Sequence, residues 1–243
     1  MTRRVSVITT GDCEFRALHL SLVRVFQDVD VEFVPAGRTH ADSFTTCRLS
    51  PVIPRVSATP IVDKLAARIV GTVHVDRPDL VLAVDDLELA NANQPEIVVE
   101  LLRGAVARHL ATYPWSSGRT RGKVTELVRT RCSFHLFAPM VEAYFFGEPA
   151  ALGRAGAIRQ SVVDPARVDL EAFVTDDKHY LAWAAAARRR SSTEGNRRWW
   201  ARHPKKYLGF LCSPTGDPDA THYRETTGGR AALERLAWRQ VLK

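Results

Sequence analysis

The residues of this 243-residue chain best suited to chemistry are carboxylates in two short groups, Asp12 with Glu14 and Asp85 with Asp86 and Glu88. Each group follows a run of apolar and β-branched residues, Val5 to Thr9 in one case and Leu80 to Val84 in the other. Carboxylates crowded in this way repel one another strongly at the intermediate dielectric of a protein cleft, and a hard cation removes that repulsion. Magnesium takes oxygen ligands and keeps several waters, so one or two carboxylates plus a substrate phosphate complete its shell. A purely structural use also exists, with Asp12 capping a helix and Asp85 or Asp86 opening a turn. That use leaves Glu88 unexplained.

The elements that must position these groups follow from periodicity. Val5 to Thr9 reads as a strand entering a tight turn at Gly11, and Phe15, Leu18, Leu22 and Val25 then recur at helical spacing. Val31 to Val34 reads as a second strand. Arg38 to Thr59 is a polar connection longer than a compact domain usually carries without a role, which suits an active-site or partner loop. Pro60 suits a helix start, with Ile61, Leu65, Ile69 and Val73 along one face, and Pro78 ends it. Leu80 to Val84 has the continuous aliphatic pattern of a strand buried on both faces, and Pro95 opens a helix through Leu110. After a polar stretch from Trp115 to Lys123, Cys132 to Phe137 reads as a strand and Pro139 to Phe146 as a short helix. Leu181 to Arg190 and Arg230 to Leu242 are further helical segments. Alternating strands and helices imply a parallel sheet with right-handed crossovers. Ligands of such sheets sit beyond the carboxyl ends of the strands, where both acidic groups fall.

Charge is unevenly placed. The net charge is +7, yet residues 186–243 hold 13 Lys or Arg against 5 Asp or Glu, while the first 185 residues hold 21 against 22. Within the basic quarter, Arg197, Arg198, Arg202, Lys205 and Lys206 are interleaved with Trp199 and Trp200. Cations neutralise phosphates and rings stack on bases, so this pattern suits a nucleic-acid surface. One tryptophan is then expected to be buried, with the cations facing outward.

The longest aliphatic run, Leu80 to Val84, is far short of the roughly 20 residues that span a bilayer, and no secretory h-region follows Met1 to Arg4. Cys13, Cys47, Cys132 and Cys212 lie far apart without zinc-ligand spacing, as free thiols of a reducing cytoplasm do. None of the eight histidines forms an HxxxH or HxH pair, and Gly228-Gly229 lacks the flanking strand and lysine of a phosphate loop. These observations predict a cytoplasmic protein with no membrane partner.

The series Val7-Ile8-Thr9-Thr10-Gly11-Asp12-Cys13-Glu14, followed by an amphipathic segment, resembles the opening motif of TOPRIM domains in the overcoming-lysogenisation-defect nucleases. Leu82-Ala83-Val84-Asp85-Asp86-Leu87-Glu88 is similar to their acidic DxD motif at the end of the third strand. Ala138 to Phe146, which carries Glu142, and His203 to Leu208 resemble segments of small TOPRIM-like families that partner ATPases in bacterial defence. The likeness spans about two thirds of the chain. It implies a TOPRIM-like, Rossmann-like core at about residues 1–150, with residues 151–243 as a basic helical extension of the same domain. It implies Mg2+ or Mn2+ held by Glu14, Asp86 and Glu88, with Asp85 in reserve, Glu142 facing the cleft, and Lys205 and Lys206 on the phosphate backbone. One position departs: where those families place a glutamate directly before the glycine, this chain has Thr10, whose hydroxyl is a poor substitute for an anionic ligand.

Two functions are therefore expected. The first is a metal-dependent nuclease or related phosphodiester-processing protein of antiviral defence, with Glu14, Asp86, Glu88 and Lys205 as its catalytic set and DNA or RNA as its substrate. The second is a non-cleaving nucleic-acid-binding or regulatory subunit of an ATPase complex. Self-association of the chain is compatible with either.

Overall fold

The computed structural model describes residues 2–50, 58–188, 200–215 and 222–242. Four parallel strands, β1 (Arg3–Thr9), β2 (Val31–Pro35), β3 (Leu80–Asp86) and β4 (Cys132–Phe137), form one sheet in the order β2-β1-β3-β4. Helix α1 (Asp12–Val25) joins β1 to β2, and α2 (Ala58–Gly71) with a π-helical turn, Thr72–Asp76, joins β2 to β3. Helices α3 (Pro95–Thr112) and α4 (Gly118–Arg131) join β3 to β4. The chain leaves β1 toward one side for β2 and returns on the other side for β3, so the order reverses between β1 and β3 and opens a crevice beyond their carboxyl ends.

Both faces of the sheet are covered, which is why β1 is buried on both sides from Val5 to Thr9 and β3 carries the unbroken aliphatic run Leu80 to Val84. Ile8, Val81 and Ala83 pack with Val62, Leu65 and Val98 of α2 and α3. Val7 and Val84, on the other face, pack with Ala17 and Leu18 of α1 and with the C-terminal part of the chain. That part holds α5 (Glu142–Phe145), α6 (Pro149–Arg154), α7 (Lys178–Arg188), α8 (Pro204–Cys212), α9 (Arg230–Glu234) and α10 (Trp238–Val241). It is built into the core. Tyr180, Tyr207, Phe146 and Leu233 are fully buried there, and the Trp238 indole donates to Ser21 of α1 at 2.8 Å while stacking on Phe137 of β4.

Two expectations change. Helix α4 occupies what read only as a polar segment ending at Lys123, because its apolar stripe is a single narrow row of Val124, Leu127 and Val128. Its start is fixed by the Ser117 hydroxyl, which accepts the Thr120 N–H at 3.1 Å. The expected helix from Arg230 to Leu242 is broken into α9 and α10, and Glu148 and Arg154 take up the backbone groups freed at Ala237 and Arg235. The four cysteines are free thiols, and among the described residues no helix is long and apolar enough to cross a membrane.

Candidate functional site

Side chains alternate between the faces of a strand, and this separates the two aspartates that end β3. Asp85 shares a face with Val81 and Ala83, whereas Asp86 shares one with Leu82 and Val84. The register sets Thr9 beside Val84, so Thr10 falls beside Asp85, and its hydroxyl donates to Asp85 Oδ1. The Asp86 N–H donates to the same oxygen at 2.9 Å. Oδ2 is buried without a hydrogen bond; the Ser43 hydroxyl and Phe44 amide favour the charged form without completing one. Burial outweighs these donors and pushes Asp85 up to about 6. The loop after β2 covers this end of the sheet: Thr45 donates to the Asp86 carbonyl at 2.7 Å, and the Asn91 side chain binds the backbone of Thr45, Cys47 and Leu49. The expected 38–59 connection thus packs over the strand ends as far as it is described; residues 51–57 of it lie outside the described residues.

Asp86 faces the other layer, where the remaining acids gather. Its Oδ1 accepts the Val141 N–H at 3.0 Å. Glu14, in the first turn of α1, folds back on its own backbone N–H, and a Cβ at Gly11 would lie 1.9 Å from Glu14 Oε2. Glycine at position 11 is therefore what admits this carboxylate. Glu142 opens α5 and accepts the Tyr223 hydroxyl at 3.2 Å. Glu88 has φ 62° and ψ 150°, a region almost reserved to glycine. It is held there by its N–H bond to the Pro139 carbonyl at 2.7 Å and by Leu87 N–H on the Phe137 carbonyl at 2.8 Å.

Helix α8 brings the cation. Lys205, in its first turn, pairs with Glu225 at 2.5 Å, and Lys206 beside it is exposed. Asp86, Glu88, Glu142, Glu225, Lys205 and His203 line one cleft of about 350 Å3. Its wall also holds two polar atoms, Trp183 Nε1 and His203 Nδ1, that are buried without a hydrogen-bond partner.

The electrostatics are those of an over-filled acidic site. Burial and then Glu142 raise Glu14 to about 7, and burial, partly opposed by Lys205, raises Glu88 to about 7. Burial, with Glu14, Glu142 and Glu88, pushes Asp86 well above its ordinary value, and burial raises Glu142. Burial works against the Lys205 ammonium, but Glu142, Glu225 and Glu88 outweigh it and hold it charged. His203 is driven down to about 4 by burial and by Lys206 and Lys205, so its ring is neutral.

The structure brings together Glu14, Asp86, Glu88, Lys205 and Lys206 of the expected set, with Glu142 facing the same cleft. Asp85 is turned to the other face. Arg202 and Lys206 are exposed, Arg197, Arg198 and Trp199 lie outside the described residues, and Trp200 packs on Trp183 with ring centroids 5.4 Å apart. Asp12 pairs with Arg16 at 2.8 Å on the surface, outside the cleft. Tyr223 and Glu225 were missed. A lone acid three residues before Gly228-Gly229 in a basic stretch was the available signal: a Cβ at Gly229 would lie 2.4 Å from the Tyr223 hydroxyl, so the glycine admits that ring. The donors suit a hard cation, being oxygens of mutually repelling carboxylates. Among the described residues no three Asp, Glu, His or Cys side chains stand close enough to hold a metal as placed, so binding one requires side-chain rotation. No protein-family model, curated protein or solved structure matches the chain.

Proposed function

We propose that the acidic cleft is a TOPRIM-like phosphodiester-processing site that works on nucleic acid with magnesium or manganese. The observation that supports this is the gathering of Glu14, Asp86, Glu88, Glu142 and Glu225 around the Lys205 ammonium at the crevice between β1 and β3. Glu14, Asp86 and Glu88 would hold the cation. Such an ion, when bound, supplies an activated water and charge stabilisation at the phosphate. Lys205, turned from Glu225, would neutralise a phosphate oxygen. Neutral His203 and Trp183 would meet polar atoms of the nucleotide.

The test is calorimetric titration of the whole chain with MnCl2 and MgCl2, beside cleavage of plasmid and single-stranded substrates. Binding that disappears in Asp86→Asn, together with metal-stimulated cleavage, is expected. No heat of binding in the parent protein overturns the reading, and binding that survives Asp86→Asn removes Asp86 from the site.

The Thr10–Asp85 hydrogen bond favours a second reading, in which the chain binds nucleic acid for a partner ATPase without cutting it. Where the resembling TOPRIM motif carries a further carboxylate this chain has Thr10, and its hydroxyl engages Asp85 on the face away from Glu14 and Asp86. Nucleic-acid binding without metal-stimulated cleavage supports this reading over the first.

A further inference from the structure

We propose that a second cleft, between α4 and the π-helical turn Thr72–Asp76, docks single-stranded nucleic acid without a metal. It lies at the opposite edge of the sheet from the acidic cleft, since the turn precedes the start of β3 and Arg131 precedes the start of β4. The seven residues of β3 put about 20 Å between the two edges.

The cleft has a volume of about 430 Å3, and His74, Arg77, Arg119, Lys123 and Arg131 line it with no carboxylate among the lining residues. Nearby acids are engaged elsewhere or set apart. Glu126 is bound by Arg129 at 2.6 and 2.9 Å, Asp79 accepts the Arg4 N–H at 2.8 Å, and Asp76 is exposed outside the lining. The cations are also positioned. Arg77 sits in the left-handed region with φ 49°, its Nε donating to the His74 carbonyl at 3.4 Å, and Arg131 reaches the Pro78 carbonyl at 3.5 Å. Four permanent charges around one concave surface repel each other unless an anion enters, and a chain of phosphates supplies several at once.

An aromatic cluster identifies the kind of polyanion. The His74 ring, on the cleft wall, lies 5.3 Å from Trp115, which lies 4.5 Å from Tyr113. Tyr113 is 40% exposed. Cations for the backbone beside an exposed ring are the means by which proteins hold unpaired strands, because every base has a face to stack. A duplex keeps its bases stacked inside and gives Tyr113 nothing to receive. The charge balance of the first 185 residues hides this surface, since α4 alone holds five Arg or Lys against one Glu.

The test is fluorescence anisotropy of a labelled oligothymidylate, and of a matching duplex, in EDTA, so that metal binding and cleavage at the acidic cleft play no part. The parent chain should bind the strand. Arg119→Ser with Lys123→Ser, both exposed, should lower the slope of log affinity against log salt by about 0.7 for each phosphate no longer neutralised. Tyr113→Ala should weaken strand binding about five-fold or more while leaving duplex binding unchanged. Thermal melts confirm that these surface variants fold. An unbound strand, a salt slope unmoved by the double substitution, or a weakening seen only in Arg202→Ser with Lys206→Ser overturns the proposal. Displacement by polyglutamate with no effect of Tyr113→Ala also overturns it and assigns the surface to an acidic protein.

Discussion

Thr10 and Asp85 close the carboxyl end of the central strand pair, the threonine hydroxyl donating to Asp85 Oδ1 across the β1–β3 register. Thr10→Val removes that donor from a buried carboxylate already raised to about 6. The expected cost is about 1–3 kcal/mol of folding stability. It should be larger at pH 8, where Asp85 is charged, than at pH 5, where it is protonated. Denaturant unfolding of Thr10→Val and Thr10→Ser at both pH values checks this, with the serine variant close to the parent.

The pH dependence of the whole fold follows from Glu14 and Glu88, both raised from an ordinary 4.5 to about 7. Between those values the folded state holds more protons than the unfolded state, so stability falls as pH rises through this window and levels off above it. Glu14→Gln should flatten the fall and raise the melting temperature at pH 8 by about 2–4 °C for each kcal/mol relieved. A melting temperature that is flat from pH 4.5 to 8 in the parent would contradict the assignment.

Glu88 occupies backbone space that suits glycine. Glu88→Gly should therefore be more stable than Glu88→Ala by about 1–3 kcal/mol, although both remove the same carboxylate. Equal stability of the two variants would show that no strain is stored there.

Gly11→Ala should leave the fold intact, because the group in its way is the mobile end of Glu14. The displaced carboxylate would leave the acidic cluster. The variant should then reproduce the flattened pH profile of Glu14→Gln without changing residue 14. A profile identical to the parent's would mean that Glu14 is held by something other than the space at Gly11.

Lys205 and Lys206 are adjacent in sequence but should behave differently. Lys205 alone is set among Glu225, Glu142 and Glu88. Lys205→Met leaves those acids uncompensated and should lower stability at pH 8 by about 1–3 kcal/mol, whereas Lys206→Met should stay within about 0.5 kcal/mol of the parent. Melts at pH 8 and pH 5 distinguish the two, the Lys205 effect shrinking as Glu88, raised to about 7, protonates.

Local pattern was enough to read the parallel α/β sheet, because strands alternate with amphipathic helices along the chain and turn residues mark the strand ends. It also brought Glu14, Asp86 and Glu88 to one edge, since a parallel sheet aligns the carboxyl ends of its strands. What it left open was decided by packing. Asp85 and Asp86 look equivalent as neighbours, but strand alternation sends one to Thr10 and the other to Glu14 and Glu142. Helix α4 escaped notice because a helix resting on one narrow apolar row carries little periodic signal. Glu225 and Tyr223 join the cleft from more than 130 residues beyond Asp86. No local spacing encodes such an approach; it exists only because the C-terminal helices bury their aromatic faces against α1 and the sheet.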